Sequence, residues 1–99
     1  MANRAAAGDA LRLAAQTGDL DALDRLIRQS SATGSLNAAD PMGRTPLMLA
    51  ARNGQTAAVK RLIAAGANRT LVDRDGLDAL AHARGLGFGE ISALLQAAP

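Results

Sequence analysis

The stretch "DPMGRTPLMLAARNG", residues 40–54, opens like a turn with Pro41 and Gly43, runs directly into a dense apolar segment and stops at Gly54. Thr45 can accept a hydrogen bond from the exposed amides of a first helical turn, and Pro46 sits where a missing N–H costs nothing. A second stretch, "DRDGLDALAHARGLG", residues 73–87, repeats it: Asp73 follows Asp40, Gly76 follows Gly43 and Gly87 follows Gly54, each after 33 positions. A third copy begins with "GDALRLAAQTGDLDALDRLI" at Gly8, and its Gly18 precedes Gly54 by 36 positions. The extra residues are expected in "SSATGS", Ser30–Ser35, read as a Ser/Gly-rich loop.

Each unit reads as a short helix, a glycine turn and a second helix, with Asp9, Thr45 and Asp78 as the expected N-caps of the first helices. Leu47, Leu49, Ala50 and Ala51 cover most of the middle helix, and Leu11, Leu13, Ala14 and Ala15 hold the same places one unit earlier. A helix this apolar must be sandwiched. The second helices are amphipathic: Leu20, Leu23, Leu26 and Ile27, then Val59, Leu62 and Ile63, then Ile91, Leu94 and Leu95 fall at helical spacing. Asp24, Arg25, Arg28, Lys60 and Arg61 occupy the opposite, wet face. Gly66 supplies a left-handed helix stop, and Asp73–Gly76 reads as the tip of a short hairpin, as does Asp40–Gly43.

Composition agrees with a small stack. Ninety-nine residues with 48% hydrophobic and 20% charged content make one soluble globular domain. Phe88 is the single aromatic residue, so the core must be built from small side chains in closely approaching layers. The absence of cysteine excludes disulfides and thiolate chemistry, and a lone histidine, His82, excludes a His-rich zinc cluster; no metal site is expected. No apolar run approaches a secretory signal or the roughly 18 residues of a membrane span, so no membrane contact is expected and the expected compartment is cytoplasmic. A net charge of +2 is a weak hint of an acidic partner. Without a basic stripe joined to aromatic or Gly-rich modules, nucleic acid is not an expected ligand.

Two helices and a hairpin tip at a period of 33, with "TPLMLAA" at residues 45–51, resemble the ankyrin-repeat family and its T-P-L-H-x-A-A motif. "GAN" at 66–68 and "LNAAD" at 36–40 are similar to two further family patterns. The resemblance implies an all-α ankyrin-repeat solenoid of three helix-turn-helix units with short β-hairpin-like loops. Its expected bounds are a tail at 1–7, one domain at 8–97 with repeats at about 8–39, 40–72 and 73–97, and a tail at 98–99. The end units depart from the motif as capping repeats do, with outward faces expected to meet water. Met48 stands where the family's motif has histidine, so the hairpin-to-hairpin link that such a histidine makes is expected to be absent.

No phosphate loop, nucleophile elbow or metal-ligand spacing occurs, so no catalytic residue and no cofactor is expected. "GLGFGE", residues 85–90, lacks the third glycine of a dinucleotide site and is explained by its place in the repeat as the interhelix turn. His82 is expected as a partly buried histidine bonded to a backbone carbonyl. Phe88 is expected to lie across the end of its own helix pair, the alternative being an exposed anchor for a partner. The resemblance implies a non-catalytic protein-interaction module, a monomer, that binds through hairpin tips and the concave face of the inner helices. On that surface the expected residues are Arg12, Gln16 and Thr17, then Pro41, Met42, Arg44, Arg52 and Asn53, then Arg74, Asp75, Leu77 and Leu86. The alternative function is a structural or regulatory ankyrin segment of a larger protein, docked on neighbouring domains.

Overall fold

The structure, a computed structural model, describes residues 4–97, so the expected tail at 98–99 and the first three residues of the tail at 1–7 lie outside it. Six helices follow one another: α1 (Arg4–Thr17), α2 (Leu20–Thr33), α3 (Pro46–Arg52), α4 (Thr56–Ala64), α5 (Ala79–Gly85) and α6 (Gly89–Gln96). Helices α1, α3 and α5 pack in sequence as an inner layer, and α2, α4 and α6 as an outer one. The stack measures 40 × 26 × 24 Å, its long dimension reflecting repetition of one thin unit. The fold is all-α, and the described residues form no β-strand.

Local signals account for most boundaries. Thr45 caps α3 by accepting from Met48 N at 3.3 Å, and Asp78 caps α5 by accepting from Ala81 N at 2.8 Å. Asp9 does not cap α1: that helix begins at Arg4, upstream of the expected domain boundary, and Asp9 lies within it, paired with Arg12. The first Asp with a capping role is Asp19, at the start of α2.

The extra residues of the first unit form helix rather than loop, since α2 has 14 residues and α4 only 9. Within this added turn Ser30 Oγ donates to Ile27 O at 2.6 Å and Thr33 Oγ1 to Gln29 O at 3.2 Å, so both hydroxyls are satisfied by helix carbonyls. Gly34, at φ 68, then stops it.

The core is made of Leu11, Leu23, Leu47, Met48, Val59, Leu62 and Ile91, interleaved with alanines such as Ala15, Ala51, Ala58 and Ala83 that let helices approach closely. Phe88 does not plug its own pair; it reaches back to the preceding unit. A Cβ on Gly54, which holds φ +71, would lie 3.2 Å from the Phe88 ring. One unit earlier Gln55 covers Gly18 in the same way, donating from Nε2 to Gln16 O at 3.1 Å. The glycines therefore serve both the left-handed turn and the close approach of the next unit.

Candidate protein-binding surface

The two hairpin tips share one geometry. Asp40 Oδ1 accepts from Met42 N and Arg44 N, both at 2.9 Å, and Asp73 Oδ1 accepts from Asp75 N at 2.9 Å and Leu77 N at 3.0 Å. Each turn closes with a glycine amide donating to the aspartate carbonyl, Gly43 to Asp40 O and Gly76 to Asp73 O. An aspartate that satisfies two loop amides in this way fixes the tip without any strand ladder.

The tips are also tied to each other. Arg74 N donates to Met42 O at 2.9 Å, and Asn68 N to Asn37 Oδ1 at 2.8 Å in the segments leading to the tips. Arg44 leans onto the next tip, with Nε 3.6 Å from Asp73 Oδ2 and Nη2 3.8 Å from Asp75 Oδ2. Its Nε is buried and beyond hydrogen-bonding reach of any partner, so it acts on Asp73 through charge.

His82 differs from expectation. Its Nε2 bonds the side chain of Asp73, at 2.7 Å from Oδ2, rather than a backbone carbonyl, and both residues are buried. The reason is the tip geometry: with Oδ1 occupied by loop amides, Oδ2 is left facing the first turn of α5. Burial pushes the Asp73 carboxyl up, but the Leu77 amide, the His82 imidazole and the Asp75 amide outweigh it and hold the group below its ordinary value of 3.8. An ionised carboxylate makes His82 Nε2 the donor. This pair braces a loop from inside.

The expected surface residues separate into three groups. Gln16, Thr17, Pro41, Met42, Asn53, Arg74, Asp75, Leu77 and Leu86 are exposed. Arg44 and Arg52 are half-buried, Arg44 as the brace just described. Arg12 is not on the surface: it is 9% exposed, donates from Nη1 to Ala38 O at 2.7 Å and pairs with Asp9. It stands at the register position of Met48 and so makes, in the first unit, a link from inner helix to loop.

Leu71 and Val72 join this surface without having been singled out in the sequence. Val72 is 57% exposed, beside Leu77 and the Arg74 tip, where the preceding loop carries Ala38 and Ala39. The change from two alanines to Leu-Val in a loop was the available signal. On the outer layer Arg61 pairs with Asp24, and Lys60 lies 3.8 Å from Glu90, whereas Arg52 and Arg74 form no ion pair among the described residues. Among those residues no three acidic or histidine side chains converge as a metal site, and no helix is long and apolar enough to cross a membrane.

The chain is similar to the human transient receptor potential cation channel subfamily A member 1, with 41% identity over 78 residues, covering 79% of this chain and 7% of that protein. The family described as Ankyrin repeats (3 copies) matches residues 11–98, and the chain, with its three helix pairs and recurring Asp-Gly tips, belongs to the ankyrin-repeat family.

Proposed function

We propose that the chain is a protein-binding module that takes an acidic segment of a partner across its hairpin tips and the adjoining edge of the inner helices. Ankyrin repeats are generally protein-interaction modules and generally non-catalytic. The observation that carries the finer reading is the linked pair of tips. Arg74 N bonded to Met42 O and Arg44 set against Asp73 hold the loops rigid, while Met42, Val72, Arg74 and Leu77 face outward. A rigid surface with apolar anchors and unpaired arginines loses little conformational entropy on binding. Arg12 leaves the surface and Arg44 acts as its support; Gln16, Pro41, Arg52, Asn53, Asp75 and Leu86 extend it. The working compartment in this reading is the cytoplasm.

Affinity capture with the intact chain, followed by quantitative binding of the captured partner, tests it. Arg52→Ala/Arg74→Ala is expected to weaken binding by about thirtyfold, the equivalent of about 2 kcal/mol for a desolvated arginine contact, while Arg25→Ala/Arg28→Ala on the outer layer leaves it nearly unchanged. Both variants must keep the parent's helical signal and unfolding midpoint. Greater sensitivity of the outer pair would move the binding face to the convex side.

A further inference from the structure

The two ends of the stack are built differently. Leu49, Ala50, Ala58 and Leu62 are all buried in the middle unit, and their counterparts in the last unit, His82, Ala83, Ile91 and Leu95, are buried as well. In the first unit the same positions are Leu13, Ala14, Ala22 and Leu26. Among the described residues Leu13 is left 61% exposed and Ala22 and Leu26 half-buried, while Ala14 is buried; together they line a shallow groove of about 300 Å³ between α1 and α2. This face is thus chemically an interior face, with Leu, Ala, Ala and Leu repeated at the places that bury the unit interface elsewhere.

The other end is adapted to water. Positions that face the following unit are Leu47, Ala51 and Ile63 in the middle unit, and they become Leu80, Arg84 and Gln96 in the last, with Arg84 and Gln96 exposed. Exposed Arg84 and Gln96 at one end, set against Leu13 at the other, disfavour head-to-tail stacking of copies. Head-to-head contact remains, and it closes at two copies instead of growing into a fibre.

We infer that two copies of this chain associate through their α1–α2 ends as a twofold dimer, in place of the monomer expected from the sequence. The face is self-complementary, as such an interface must be. Leu13 and Leu26 supply knobs and Ala10, Ala14 and Ala22 supply hollows, while Asp19 and Arg25 on the groove rim carry opposite charges that a twofold axis can pair twice. Two helices of about 20 Å present an area at the low end of specific interfaces, which makes the dimer reversible and weak.

Sedimentation equilibrium of the full chain, from micromolar concentration up to about 1 mM, is the direct test. A reversible monomer–dimer equilibrium is expected, with an unfolding midpoint that rises with concentration. Leu13→Glu alters a side chain already exposed in the single copy, so it should keep the helical signal while weakening association by about tenfold or more. Arg84→Glu, at the opposite end, should leave association unchanged. Because the chain has no cysteine, Leu13→Cys should also cross-link into dimers under oxidant where Arg84→Cys does not. A monomer throughout, a dimer that survives Leu13→Glu, or assembly beyond two copies would each overturn the inference.

Discussion

Leu47 in the middle unit and Leu80 in the last stand at the same register position, yet Leu47 is 1% exposed between two inner-helix neighbours while Leu80 is half-buried beside the hollow at the end of the stack. The units differ in the same sense at their tips. Asp40 and Asp73 organise their loops identically, but the position that carries His82 in the last unit carries Leu49 in the middle one, so only Asp73 has a buried imidazole and a neighbouring guanidinium on its second oxygen. Identical local motifs therefore sit in different surroundings, and their energetic weight follows the surroundings.

The largest contrast should come from the core. Leu47→Ala is expected to cost about 2–5 kcal/mol, because neighbours on both sides prevent collapse of the cavity, whereas Leu80→Ala costs about 1 kcal/mol. Urea denaturation of the two variants measures both, and equal losses would mean that the last unit is as enclosed as the middle one.

Next come the tips. Asp40→Ala should remove about 1 kcal/mol of net loop hydrogen bonding, and Asp73→Ala should lower stability roughly twice as much, since it also strands the buried His82 and takes one ion-pair partner from the half-buried Arg44. Equal effects would show that the imidazole and guanidinium contribute nothing to the loop.

The acid limb sharpens the same comparison. Asp73 has a folded-state value below its ordinary 3.8, so the unfolded chain binds its proton first as pH falls. The stability contributed by ionised Asp73 is present above the unfolded value and is lost as pH drops through the folded one. Midpoints measured from pH 6 down through this range should therefore fall more steeply for the parent than for Asp73→Asn; parallel curves would refute the assignment.

The smallest effect concerns Met48. In the first unit Arg12, at its register position, donates to Ala38 O, and the counterpart carbonyl for Met48 is that of Leu71. Met48→His is expected to reach that carbonyl and raise stability by about 0.5–1 kcal/mol, a gain thermal unfolding would resolve. A lower midpoint would show that the thioether's packing outweighs one added bond.

What could be read from the chain alone was what short-range rules govern. The 33-residue recurrence, Thr45 and Asp78 as caps, Gly66 as a stop and the Asp-Gly tips are decided within a few residues of one another, so their chemistry is visible in order along the sequence. The exposed parts of the surface, such as Met42, Arg74 and Leu77, followed from the repeat register. Tertiary structure decided the rest: that Arg12 turns inward to Ala38, that Arg44 braces the next tip, that His82 meets Asp73, and that Phe88 covers Gly54 of the unit before it. Each of these joins residues in different helices or loops, and the superhelical offset between units determines which side chains meet. The exposed Leu13 face has the same origin, because a leucine at that position is core or surface according to whether another helix pair lies against it, and no pattern within the unit records that.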